Sequence, residues 1–208
     1  YDFDKAGVPA QGYTVFAPET KKVPFTPIYY GYDPQEFKPI EGIARENSSF
    51  ITVGSFSSEK LYTLKGCDLI LELAATRPEL KFTIVGWDGK SIVNKPSNVV
   101  LLPYMHQREL VRVLSSHEFY FQLSFSEGFP NALCEAMLCG CIPIGSNVSG
   151  VPTIIGNTGF LLYKRNVDAL NEVVTAALAY PDRNALSLAA RNRIQENFTY
   201  DRRLRELI

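Results

Sequence analysis

The stretch Ser126-Glu127-Gly128-Phe129-Pro130-Asn131-Ala132-Leu133-Cys134-Glu135-Ala136-Met137 sets two carboxylates eight positions apart, around a glycine turn and the start of a helix. The residues before it, Glu118-Phe-Tyr-Phe-Gln-Leu-Ser124, are apolar and aromatic-rich, as a buried strand requires. After Phe129 the pattern turns helical. Pro130 suits the first helical turn, and Ala132, Leu133, Ala136 and Met137 share one face. A strand feeding a helix through a glycine turn leaves backbone N–H groups facing outward at the helix start. Those groups and the helix dipole favour an anion, typically a phosphate. Glu127 falls on the loop and Glu135 about a turn into the helix. Carboxylates accept hydrogen bonds and repel phosphate, so the pair suits sugar hydroxyls on either side of such an anion.

Outward from this motif, strands and helices alternate. Strands are predicted at Ser49–Val53, Lys81–Val85, Asn98–Leu102, Glu118–Ser124, Cys141–Gly145 and Gly159–Tyr163. Helices are predicted at Leu64–Thr76, Arg108–Ser115, Asn131–Cys139, Val167–Ala179 and Asn184–Asn197, the last extended by Asp201–Ile208. Alternation of this kind implies an α/β domain: a Rossmann-like parallel sheet with helices on both faces. Ligands of open parallel sheets bind beyond the carboxyl ends of the strands. Gly54, Gly86, Ser124 and Gly145 each follow a predicted strand, so their loops converge on one edge. Residues 1–47, rich in proline and glycine and without periodicity, read as a linker or interdomain segment; 48–208 form the domain. The chain opens on Tyr1 and reaches its first strong strand only near Phe50, which reads as a piece of a longer protein.

The 208 residues carry 21 Lys+Arg against 22 Asp+Glu, so charge gives no case for a nucleic-acid partner. No apolar run approaches the about 20 residues of a membrane span, and no signal peptide is visible. The basic run Asp201-Arg-Arg-Leu-Arg205 reads as a solvated helix face. Cys67, Cys134, Cys139 and Cys141 form no Cys-x-x-Cys pair and stand apart from His106 and His117, so no metal site is expected. They read as small buried thiols in a reducing compartment.

The central motif resembles the donor-binding half of the retaining glycosyltransferases of the GT-B fold, the group 1 or family 4 type. The likeness starts at Ile28-Tyr-Tyr-Gly-Tyr-Asp-Pro-Gln-Glu-Phe-Lys-Pro39 and runs through Val53-Gly54, Lys65-Gly66 and Ile84-Val85-Gly86. It ends with Gly140-Cys-Ile-Pro-Ile144, Ser149-Gly-Val-Pro152 and Thr158-Gly-Phe-Leu-Leu162. The resemblance implies a cytoplasmic enzyme, peripheral to the inner face of the membrane through its other half, that uses no cofactor and no metal. Its substrate is a UDP- or GDP-linked hexose, moved with retention to an acceptor hydroxyl in polysaccharide biosynthesis, as by a mannosyl- or glucosyltransferase. The acceptor site then lies in an N-terminal domain of the same protein. Glu127 matches the family carboxylate that holds the hexose hydroxyls and the departing anomeric centre, and Glu135 the one that takes the ribose hydroxyls. The resemblance gives the backbone N–H groups of Gly128, Phe129 and Asn131 to the sugar and distal phosphate, and seats Ser124 beside the sugar.

Members usually pair a Gly-Arg after the first strand with a later Lys-Gly, and the two cations neutralise the leaving diphosphate. Here Ser55 follows Gly54, so Lys65 is the catalytic cation by resemblance, with Lys60 the candidate for a second charge. Gly86 and Trp87 are candidates to line the nucleotide pocket, and Tyr104 and Met105 to flank the base. A bland alternative for Trp87 is a loop aromatic covering apolar side chains; His106 reads as a loop histidine and not a base. Thr153 stands where many members carry Glu. A nucleotide-binding or scaffolding module without transfer activity is the competing reading, favoured by Ser55. A dinucleotide-dependent oxidoreductase fails because no Gly-x-Gly-x-x-Gly follows the first strand.

Overall fold

The computed structural model describes residues 28–89 and 94–208; the part of the interdomain segment before residue 28 lies outside the described residues. Six strands form one sheet: β1 (Glu46–Phe56), β2 (Lys81–Trp87), β3 (Val99–Leu102), β4 (His117–Gln122), β5 (Ile142–Ser146) and β6 (Phe160–Leu162). Their order is β3-β2-β1-β4-β5-β6 and every pairing is parallel. The helices are α1 (Glu59–Leu64), α2 (Cys67–Thr76), α3 (Gln107–Ser115), α4 (Asn131–Leu138), α5 (Val151–Ile155), α6 (Val167–Leu178), α7 (Arg183–Asn197) and α8 (Tyr200–Leu207).

Alternation along the strands divides the core in two. On one face Phe50 stacks on Phe82, Phe119 and Phe121 with ring centroids 5.4, 4.9 and 5.0 Å away. Leu69, Ile70 and Leu73 of α2 and Leu170 and Val174 of α6 cover this layer. On the other, Ile51 and Tyr120 pack with Leu133, Ala136 and Met137 of α4, Ile154 of α5 and Ile194 of α7. Period two therefore hands successive β4 residues to opposite layers. Chain order reverses between β1 and β4, and the crevice beyond their carboxyl ends is where such a sheet takes ligands.

The helix expected over Leu64–Thr76 starts at Cys67 as α2; α1, which the sequence does not predict, precedes it and ends at Leu64, with Lys65-Gly66 between them. Gly66 sits at φ +80°, which stops α1 in a left-handed turn. A Cβ at Gly66 would also stand 2.4 Å from the Leu123 carbonyl oxygen. The expected extension of the last helix is a separate one, because Phe198 buries its ring (4% exposed) and Thr199 caps α8 by accepting from Arg202 N. Helix α5 has no counterpart in the sequence reading. Pro130 precedes α4 as its N-cap instead of lying within it. Gly54, Gly86 and Gly145 are among the last residues of β1, β2 and β5, not beyond them. At Gly86 (φ +101°) a Cβ would lie 1.8 Å from the Gly54 carbonyl oxygen, so β1 and β2 close here only over a glycine.

Residues 28–45 have no helix or strand, yet they pack against the domain. Tyr32 is buried and donates its backbone N–H to Phe198 O at 2.9 Å. Arg45 donates to the carbonyls of Cys139 (2.7 Å) and Gly140, and Arg191 to those of Leu138, Phe37 (3.1 Å) and Pro34 (3.3 Å). Two guanidinium groups thus satisfy the carbonyls left open at the end of α4 and hold the segment against them.

Candidate active site

A cavity of about 640 Å³ opens beyond the carboxyl ends of β1 and β4. Of the residues singled out by sequence, Gly54, Ser55, Lys65, Gly86, Tyr104, Met105, Glu127, Phe129, Asn131 and Glu135 line it. Gly128 is exposed beside the cavity, its carbonyl accepting from Gly150 N at 3.1 Å. Ser124 is fully buried and meets the site through Glu127 and Gln122. Lys60 is exposed on α1 and does not line the cavity: five residues along a helix turn a side chain roughly 140° away from Lys65. Trp87 packs instead against the core that holds Phe50 and Leu73, with its indole N–H buried and unpartnered among the described residues. His106 is an exposed residue ahead of α3, with Tyr104 edge-on to it at 5.5 Å.

Lys65 owes its place to the break between α1 and α2. Leu64 O accepts from Phe125 N at 2.8 Å, tying the turn to the end of β4. Arg165 Nη2 donates to both Asp68 carboxylate oxygens (2.7 and 2.8 Å) and to Thr63 O (3.0 Å), strapping both flanks of the turn. Lys65 Nζ then lies 2.5 Å from Glu127 Oε1. The same oxygen accepts from Ser124 Oγ (2.7 Å) and Gln122 Nε2 (3.1 Å). Oε2 takes no hydrogen bond among the described residues.

Glu135 is built differently. Leu133, Cys134, Ala136, Met137 and Leu138 bury the other sides of α4, so Asn131 and Glu135, four apart, share the side facing the cavity. Asn131 Oδ1 accepts from the Tyr32 hydroxyl at 2.8 Å. The Glu135 carboxylate is half-buried and has no partner among the described residues, and burial raises its pKa above the ordinary 4.5. No side chain caps the α4 N-terminus, which leaves its first N–H groups open beside the two glutamates. Among the described residues no cluster of three His, Cys, Asp or Glu side chains is placed to hold a metal ion.

The sequence reading missed Gln122, Val53, Phe37, Gln107 and Leu110, which also line the cavity. Gln122 had a signal: it is the polar residue that follows the aromatic run Phe119–Phe121 at the end of β4, two along from Tyr120 and so on the α4 face.

The family model for glycosyl transferases group 1 matches residues 34–197. The chain belongs to this family. Among curated relatives, this group 1 glycosyltransferase chain is 27% identical over 150 residues to the D-inositol 3-phosphate glycosyltransferase of Mycobacterium leprae, covering 63% of the chain and 35% of that protein. It is 27% identical over 148 residues to the gpi3 component of the phosphatidylinositol N-acetylglucosaminyltransferase of Schizosaccharomyces pombe, covering 64% of the chain and 32% of the relative. The chain therefore spans about a third of the length of these curated relatives. A solved structure of Anabaena HepE in complex with UDP-glucose superposes with a TM-score of 0.71 at 17% identity, over 86% of this chain and 55% of that one. That likeness is one of fold: the Rossmann-like domain of GT-B glycosyltransferases.

Proposed function

We propose that this domain binds a nucleoside-diphosphate hexose for retaining transfer to an acceptor hydroxyl. The observation that carries the reading is the placement of two unlike carboxylates around one uncapped helix start. Glu127, one oxygen saturated and the other open among the described residues, suits the hexose hydroxyls; Glu135, desolvated and without a partner among the same residues, suits the ribose diol. Between them the α4 N-terminus and Lys65 Nζ offer positive charge to the diphosphate, the kind of preorganised electrostatics that stabilises a leaving group without help from a metal. A volume of about 640 Å³ is within the range that takes a ligand of this size. The UDP-glucose bound to HepE makes a UDP-linked hexose the first ligand to try.

Ser55, where the family has arginine, leaves Lys65 as the one catalytic cation in this reading and makes the diphosphate seat a point charge without a bidentate fork. The matched segment is about a third of each curated relative, which supports an acceptor-binding half elsewhere in the protein. In that reading the isolated chain binds donor and transfers no sugar, since it holds one wall of the cleft. The same reading places the domain in the cytoplasm, with membrane contact left to the other half; among the described residues no helix is long and apolar enough to cross a membrane.

Calorimetric titration with UDP, GDP, ADP, dTDP and NAD tests the assignment. Heat with one or more of the nucleoside diphosphates, strengthened or kept by the attached hexose, is the expected result. Heat with NAD alone overturns it. Nucleotide binding by the full-length protein without any transfer would favour the scaffolding alternative.

A further inference from the structure

We propose that Gln122 is a positioning residue that aims Glu127 at the hexose. The inference rests on the assignment of Glu127 to the sugar. Gln122 is 5% exposed, on a strand whose neighbouring side chains are mostly aromatic, and a buried amide there is costly unless its hydrogen bonds are made. Its Nε2 makes two: to Ser124 Oγ at 2.8 Å and to Glu127 Oε1 at 3.1 Å. Ser124 passes its own O–H on to the same Glu127 oxygen at 2.7 Å. On the other side of the amide, the Tyr120 hydroxyl lies 3.4 Å from Gln122 Oε1. The orientation is forced, because a flipped amide would set an acceptor oxygen against a carboxylate oxygen.

The consequence is a carboxylate with its two oxygens given different tasks. Gln122, Ser124 and Lys65 fill Oε1 and fix the rotamer, so Oε2 alone is left to meet substrate. Lys65 is the mobile member of the three, since its ammonium has further N–H groups for a diphosphate. Gln122 and Ser124 hold the carboxylate in place when Lys65 shifts its allegiance. A leucine at this position would fill the space and free the carboxylate to rotate.

The test compares each bare nucleoside diphosphate with its hexose conjugate (UDP with UDP-glucose, GDP with GDP-mannose) by calorimetry on the native chain, Gln122→Leu and Gln122→Glu. The ratio of the two affinities within a pair isolates the sugar contact, and titration of Glu135 cancels because both ligands share the nucleotide. In Gln122→Leu the bare nucleotide is expected to bind within about twofold of native, while the conjugate loses about 5- to 20-fold. In Gln122→Glu the introduced carboxyl faces Glu127 and, through it, Lys65, with the Tyr120 hydroxyl behind. Protonated in acid, that carboxyl can donate as the amide does; ionised, it repels Glu127. Divided by the native ratio at the same pH, which removes the ionisation of the bare nucleotide's terminal phosphate at about pH 6, its ratio is therefore expected near one in acid and to fall as pH rises. An unchanged ratio in Gln122→Leu, or equal losses for both ligands, overturns the proposal. Should that variant fail to fold, a Gln122→Glu ratio that keeps a constant proportion to the native one across the pH range overturns it alone. If the native chain binds neither pair, the site assignment itself falls, and this inference with it.

Discussion

The two ends of β4 treat a glutamate in opposite ways. At the amino end Glu118 is buried and fully used: Oε2 accepts from Ser48 N at 2.8 Å, and Oε1 pairs with Arg183 Nε at 2.6 Å. Ser48 is held at φ +56° as it makes this contact. Beyond the carboxyl end, among the described residues, Glu127 has one oxygen filled and one without a hydrogen bond, and Glu135 nearby has no partner. Burial alone does not distinguish a functional carboxylate from a structural one. The difference is the acceptor capacity that the protein leaves open, and it collects where the strand order reverses.

If that contrast is right, removing each glutamate should damage a different property. The largest effect is expected for Glu127→Ala in the full-length protein: turnover about 10- to 100-fold lower, as for one lost charge-assisted contact that strengthens in the transition state. Thermal melting should stay near native. A matching collapse of the melting temperature would put Glu127 in the same class as Glu118. The reverse profile is expected of Glu118→Ala, with stability lower by about 1.5–3 kcal/mol in urea unfolding and nucleotide affinity unchanged. An unaltered unfolding midpoint would show that the Ser48–Glu118–Arg183 link contributes nothing.

Glu135→Gln sharpens the comparison because two readouts should move in opposite directions. Nucleotide affinity is expected to drop about tenfold, about 1.4 kcal/mol. Burial raises the folded-state pKa of Glu135 above the 4.5 of an exposed glutamate, so the folded protein holds this proton more tightly than the unfolded chain. The stability contributed by the protonated form is complete below that pH and is lost as pH rises through the folded value. At neutral pH the native protein carries that penalty and the amide does not, so Glu135→Gln should melt higher. A lower melting temperature would mean that the carboxylate is structurally satisfied after all.

The smallest effect concerns His117, whose ring accepts from the Thr83 hydroxyl at 2.8 Å and donates from Nδ1 to Val113 O at 2.7 Å. Burial lowers its pKa below 6.5, so the unfolded chain takes up the proton first as pH falls. Stability should therefore decline from about pH 6.5 downward, and His117→Gln should flatten that slope in urea midpoints. An identical slope in the variant would assign it to other groups.

Much of the architecture was legible from alternation. Each of the six strands overlaps its expected position, because a parallel sheet buried on both faces needs uninterrupted apolar runs such as Phe119–Phe121. The glutamate motif pointed to the correct strand-to-helix turn for the same reason. What escaped was set by partners far along the chain. The break at Gly66 follows from its contact with the Leu123 carbonyl, and the packing of residues 28–45 from Arg45 and Arg191 reaching the end of α4. Gln122 escaped because a polar residue in a strand gains meaning only once its partner, Glu127, is known to fold back over it. Trp87 shows the converse: a conspicuous residue next to a site glycine turned into the core.

The four free thiols turn the division of the core into something that can be timed. Cys67 lies in the layer around Phe50, while Cys134, Cys139 and Cys141 lie in the layer around α4. Burial raises all four pKa values, those of Cys134 and Cys141 to about 12, so almost no thiolate exists at neutral pH while the fold is closed. Alkylation requires the thiolate and access to it, and both arrive only on opening. The labelling rate of Cys67 thus clocks the release of one helix layer and that of the other three cysteines the release of its opposite. Mass-resolved labelling of the native chain would reveal whether the two sides of this sheet come apart together or in turn.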